Sequence, residues 1–135
     1  MYKNILVPVS FEEEDGVEKV LKAASRLACE DARVTLLHVM PPVPKYARSY
    51  FPEGYQDEAK ATLAKSLNDM ARDLPNVSAD IVYGNPGKVI LLWVKDKDVD
   101  CVVMSSHKPG PHEFNLGSTA AQVVRHVTCA VHVAR

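Results

Sequence analysis

The chain predicts an open parallel β-sheet of five strands with helices on both faces, and three observations carry that prediction. Five short apolar runs rich in Val, Ile and Leu, at Ile5 to Val9, Val34 to Val39, Ala79 to Tyr83, Cys101 to Met104 and Ala130 to Val133, have strand length. Longer segments of helical periodicity separate them, so the order reads βαβαβαβαβ. Four of the runs are nearly continuous rather than alternating, which suits strands covered on both faces. Right-handed crossovers then put helices on either side of the sheet. With 135 residues, 47% hydrophobic and 24% charged, one domain over 1–135 is expected, burying roughly 70% of the surface of its extended chain. The same usage excludes disordered, collagenous and coiled-coil classes.

Each element has its own signal. The first run is broken at Pro8 and is too short for a signal-peptide core or a membrane span, so a cytoplasmic protein without membrane insertion is expected. Val17, Val20, Leu21, Ala24, Leu27 and Ala28 recur at three- and four-residue spacing, with Glu18, Lys19, Lys22 and Arg26 on the wet side of the helix they imply. A second helix is expected over Asp57 to Leu74, striped by Ala61, Leu63, Ala64, Leu67, Met70 and Ala71 and ended by Pro75-Asn76. The third runs from Pro86 to Lys95, with Asn85 as N-cap and Pro86 in the first turn, where its missing N–H costs nothing. The fourth begins near Ser118 and carries Ala120, Ala121, Val123, Val124 and Val127. Between the second strand and second helix, Pro41 to Gly54 holds Pro41, Pro42, Pro44, Pro52, Tyr46, Tyr50 and Phe51. That stretch reads as a surface loop with some packed aromatics, or as a functional loop.

Charge and cysteine content narrow the function classes. A formal net charge of −1 provides no whole-molecule field for nucleic acid or an acidic membrane, so any anion must be held locally. Cys29, Cys101 and Cys129 are odd in number, lack metal-ligand spacing and sit beside apolar residues, which reads as small buried hydrophobes in a reducing compartment.

Ligands of doubly wound sheets bind beyond the carboxyl ends of the strands, where the strand order reverses. Four segments fall there: Pro8-Val9-Ser10, Val39-Met40-Pro41, Gly84-Asn85-Pro86-Gly87, and Ser105 through Thr119. Gly84 to Val89 is not a Walker A loop, having two residues between its glycines and Val89 after Lys88; it reads as a turn and helix start. No Gly-x-Gly-x-x-Gly is present. In the last segment Gly117 permits close backbone approach, and Ser118 and Thr119 add hydroxyls and N–H groups at a helix start, to which Lys108 adds charge. The competing reading is that Ser118 simply caps its helix. His38 and His132 read as core or sheet-edge residues and His126 as a cation in a last helical turn. His107 and His112 beside Glu113 match no metal-ligand spacing. Ser105, Ser106 and His107 lack triad geometry, and no Gly-x-Ser-x-Gly elbow exists, so hydrolase chemistry has no positive support.

The chain resembles the universal stress protein family over essentially its whole length. The resemblance is carried by Lys3-Asn4-Ile5-Leu6-Val7-Pro8-Val9, Leu36-Leu37-His38-Val39, Gly84-Asn85-Pro86 and Asp100-Cys101-Val102-Val103-Met104. It ends with Gly117-Ser118-Thr119-Ala120-Ala121-Gln122-Val123-Val124-Arg125-His126 running into Cys129-Ala130-Val131-His132-Val133. It implies a Rossmann-like, adenine nucleotide alpha hydrolase-like fold, a homodimer through the last strand, and ATP or AMP as ligand with magnesium as a possible companion. Residue by residue it implies Pro8, Val9, Ser10 and Val39 around adenine and ribose. Met104, Ser105, His107 and Lys108 would flank the phosphates, and Gly117, Ser118 and Thr119 would cradle them.

The chain departs from the family's Gly-x2-Gly-x9-Gly signature. Ser105 and Lys108 fall at the first two glycine positions, eight residues separate Lys108 from Gly117, and the Ser-His-Lys-Pro wording resembles a branch with Ser-His-Arg-Pro. Ser10 stands where nucleotide-binding relatives usually have Asp; it is a neutral, weaker partner for ribose hydroxyls or a cation. The leading expectation is a cytoplasmic, homodimeric, nucleotide-binding stress or regulatory protein acting as a sensor. The alternative is a dimeric interaction module that holds no nucleotide and works through a protein partner. A slow ATPase, the third reading, has His107 as its one nominee for a general base.

Overall fold

A computed structural model describes residues 1–10, 14–72, 74–106 and 117–135. Five strands are present, β1 (Tyr2–Pro8), β2 (Ala28–Met40), β3 (Val77–Tyr83), β4 (Cys101–Ser105) and β5 (Ala130–Ala134). With them come α1 (Glu14–Leu27), α2 (Tyr55–Ala71), α3 (Pro86–Asp96), α4 (Ser118–His126) and a short 3₁₀ helix at Lys45–Tyr50. The sheet is parallel throughout and ordered β3-β2-β1-β4-β5, which is the expected α/β architecture.

Period-two alternation divides the core between the two faces. Ile5, Val7, Val34, Leu36, Cys101 and Val103 face α1 and α2, meeting Val17, Val20, Ala24, Leu67 and Ala71. Leu6, Leu37, Val39, Val102 and Met104 face α3 and α4, meeting Ile90, Val94, Ala120 and Val123. The exposed side of α1 carries the Glu18–Lys22 pair at 3.4 Å, which contributes a few tenths of a kcal/mol. Among the described residues no helix is long and apolar enough to cross a membrane.

Several boundaries differ from the periodicity. β2 begins at Ala28, directly after α1, because Tyr2 pairs with Ala28 across an irregularity before Asn4. Glu30 and Asp31 in that extension are exposed, so apolar patterning does not mark it. α2 ends at Ala71 rather than Leu74, tightening into i→i+3 turns from Arg72 N–H to the Asp69 carbonyl and from Leu74 N–H to the Ala71 carbonyl. Tyr46 and Tyr50 do not pack: both belong to the 3₁₀ helix, which buries nothing, and stand 81% and 84% exposed. Phe51 instead stacks on Tyr55, centroids 4.8 Å apart.

Cys101 is buried, but Cys29 and Cys129 are only half-buried, which corrects the expectation for those two. Burial, with smaller contributions from Cys129 and Asp100, pushes the Cys101 thiol up to about 11. It therefore stays protonated, and inert, at neutral pH.

Candidate functional site

Strand order reverses between β1 and β4, and there the two strands part. They pair at Ile5↔Cys101 and Leu6↔Val102, while β1 continues along β2 to Pro8↔Leu37. Chemistry explains the parting. N–H groups of successive strand residues point to opposite sides. Val9 N–H bonds the Leu37 carbonyl at 2.8 Å on the β2 side, so the N–H that Pro8 lacks belongs to the β4 side. Pro8 therefore offers no donor to β4 at that position, only its carbonyl as acceptor, and the ladder there loses a bond.

The crevice so opened has a volume of about 580 Å³, within the usual range for small-molecule sites. Pro8, Val9 and Ser10 line it from β1 and the residues after it, and Val39 from β2. Met104 and Ser105 come from β4, and Gly117, Ser118 and Thr119 from the start of α4. These nine expected residues are therefore brought together. His107 and Lys108 lie outside the described residues, as do His112 and Glu113.

Each wall is positioned by a local device. Asn85 caps α3, its side-chain oxygen accepting from the Lys88 N–H at 3.1 Å, with Pro86 in the first turn; such a cap contributes about 1 kcal/mol. Pro86 and Ile90 of that helix line the cleft, whereas Lys88 does not stand among the described lining residues. α3 and α4 approach closely at Gly87, where a Cβ would overlap the Gln122 side chain. The N-cap of α4 is Gly117, not Ser118, and no side chain among the described residues caps it. Ser118 is exposed in the first turn and lines the cleft. Gly117 N–H bonds the Ser106 carbonyl at 3.0 Å and Ser106 N–H bonds the Ala134 carbonyl at 2.9 Å. The helix start is thereby moored to β4 and β5.

Among the described residues the lining combines apolar side chains with hydroxyls and carries no Lys, Arg, Asp or Glu. Leu37, Val39, Ile90 and Met104 form an apolar floor; Ser10, Ser105, Ser106, Ser118 and Thr119 supply hydroxyls. Among the described residues no group of three His, Cys, Asp or Glu side chains is placed to hold a metal. Such a lining offers apolar surface to a flat ring, and the hydroxyls and positive end of α4 offer donors to an anion.

The universal stress protein family model matches residues 1–135. The chain belongs to that family. Universal stress protein G of Salmonella typhimurium is 32% identical over 142 aligned positions spanning all of both chains. The solved universal stress protein UspA from Lactobacillus plantarum superposes with a TM-score of 0.74 at 28% identity, covering 99% of this chain and 98% of that one. The same fold occurs in the Archaeoglobus fulgidus universal stress protein in complex with dAMP, with a TM-score of 0.68, 21% identity and coverage of 99% and 98%. It also occurs in family structures with cAMP and with AMP bound.

In this universal stress protein, sequence reasoning missed Leu37, His38, Pro41, Pro86, Ile90, Ser106 and Ala120 as lining residues. Pro41, Pro86 and Ser106 lie within the segments named for the strand ends, so position along the chain was an available signal. Ile90 was read only as part of a helix, and nothing local marks it. His38 was read as core or edge; the structure makes it half-buried, with Nδ1 2.8 Å from the Val9 carbonyl oxygen.

Proposed function

We propose that this universal stress protein holds an adenine nucleotide, ATP or AMP, in the β1/β4 crevice and acts as a cytoplasmic, homodimeric sensor rather than through fast turnover. The observation that carries the reading is the crevice at the β1/β4 switch, whose described lining joins apolar side chains, five hydroxyl-bearing residues and the start of α4. In this reading Pro8, Val9, Ser10 and Val39 surround adenine and ribose. Met104 and Ser105 flank the phosphates, with His107 and Lys108 beside them, and Gly117, Ser118 and Thr119 cradle them. Family structures solved with dAMP, cAMP and AMP support it. Magnesium accompanying ATP would meet neutral hydroxyls here, so AMP without metal should bind comparably to ATP with it. Isothermal calorimetry with ATP and AMP, with and without magnesium, is expected to show saturable heat; no heat and no thermal shift at millimolar ligand overturns the reading.

The dimer is proposed through β5. This five-residue strand ends the sheet, with one edge on β4 and the other unpaired among the described residues, and an unpaired edge is a template for a second strand. Light scattering should give twice 14.9 kDa at micromolar protein; a monomer mass refutes the dimer.

A second reading, an interaction module without nucleotide, is favoured by the exposed Tyr46 and Tyr50, residue types enriched at interfaces. Ser10→Asp separates the two, since binding gained by that variant where the parent shows none supports the module.

A further inference from the structure

We propose that His38 is the positioning residue of the crevice, its imidazole orienting the Val9–Ser10 peptide at the crevice lip through a hydrogen bond to the Val9 carbonyl. The proposal rests on the nucleotide reading above for its functional consequence. Its geometric basis stands on this chain's own residues.

His38 lies near the end of β2, beyond the last β1–β2 rung at Pro8↔Leu37. Its Nδ1 is 2.8 Å from the Val9 oxygen. A carbonyl only accepts, so Nδ1 carries the proton and donates. Val9 N–H is bonded to the Leu37 carbonyl, also at 2.8 Å. Both backbone polar groups of Val9 are therefore held from β2, one by the main chain and one by the imidazole. The ring supplies a donor just where β1 is leaving the sheet.

That clamp fixes more than Val9. The chain contains no cis peptide among its described residues, and in a trans peptide the C=O and the following N–H point in opposite directions. With the Val9 C=O turned toward β2, the Ser10 N–H is turned to the β4 side of β1. There the crevice opens, lined by Ser105, Ser106 and Gly117. The Val9–Ser10 plane is held by His38 before any ligand arrives, and preorganisation of this kind raises affinity by removing an ordering cost at binding.

A donor in the same place separates positioning from simple packing. The amide nitrogen of asparagine occupies the δ position from which His38 donates; leucine fills similar space with no donor. His38→Leu should weaken AMP binding by about tenfold in calorimetry, while His38→Asn stays within about threefold of the parent. Equal affinity in parent and His38→Leu, or equal loss in both variants, overturns the proposal. A second readout needs no nucleotide: the Ser10 amide resonance in a ¹⁵N correlation spectrum should shift in His38→Leu and hold in His38→Asn. A Ser10 resonance unmoved by His38→Leu overturns the positioning role. A parent that binds no nucleotide, with Ser10 shifting as expected, overturns the nucleotide reading instead.

Discussion

Asp100→Ala is expected to lower stability by about 3 kcal/mol, the largest effect anticipated for any single polar side chain in this protein. Asp100 precedes β4 at the amino end of the sheet, and its two carboxylate oxygens accept from the N–H groups of Lys3 and Asn4 at 2.8 and 2.9 Å. Its own N–H bonds the Asn4 carbonyl at 3.0 Å, and Asn4 Nδ2 donates to the Lys97 carbonyl at 2.7 Å. Charged hydrogen bonds contribute more than neutral ones; one of the two carboxylate bonds is solvent-exposed and sits at the lower end of the range. Urea unfolding should show a lower midpoint with an unchanged slope, and thermal unfolding a fall of about 10 °C. Asp100→Asn should recover about half, since one amide oxygen accepts one bond and the NH₂ opposes the second donor. A loss below about 1 kcal/mol in the alanine variant would show that water replaces the carboxylate at both N–H groups. Because the change sits at the opposite end of β1 from the crevice, the nucleotide binding proposed for that crevice should be unaffected.

Gly84→Ala is expected to cost about 2–3 kcal/mol, from two separable sources. Gly84 joins β3 to α3 at φ +147°, a conformation that side-chain-bearing residues rarely adopt, and an added Cβ would stand 2.7 Å from Val89 Cγ2. Val89 is β-branched on a helix, so its rotamer gives little. The Gly84 N–H bonds the Met40 carbonyl at 2.9 Å, so the loop cannot swing away without releasing the end of β2. Adding Val89→Ala to Gly84→Ala should restore the steric part and leave the backbone part. Gly54 provides the comparison: φ is +82° with nothing within 4 Å of a new Cβ, so alanine there should cost only about 1 kcal/mol. Equal losses at Gly84 and Gly54 would contradict the steric contribution.

The fold was legible because burial on both faces leaves a plain mark: Ile5-Leu6-Val7 and Val102-Val103 are fully buried, and runs that short, separated by longer segments of helical periodicity, point to strands. The general place of the crevice was legible for the same reason, since strand ends in a doubly wound sheet are fixed by topology. What escaped is chemistry that depends on a partner distant in sequence. Nothing near Asp100 announces that Lys3 and Asn4 supply its donors. His38 in an apolar run reads as core, and only the return of Val9 beside it shows what the ring holds. Ser118 reads as a cap because Ser is a preferred cap residue, yet Gly117, moored to Ser106, takes that place. The extension of β2 through Glu30 and Asp31 is fixed by backbone pairing with Tyr2, to which hydrophobic patterning is blind.

Pro8 gives the sheet a mechanical character. One plate consists of β1, β2 and β3, zipped from Val34↔Val77 to Met40↔Tyr83 on one side; the other is β4 with β5, zipped from Cys101↔Ala130 to Ser105↔Ala134. The ladder of paired residues between them is two pairs long, with the Asp100 bonds to Lys3 and Asn4 holding its amino end. A molecule seated beyond that ladder would bridge the two plates where strand pairing has ended, so occupancy should be felt as cohesion of the whole sheet, growing with the logarithm of ligand concentration. A single imino acid at the end of the central strand thereby takes one bond out of the ladder that joins the plates.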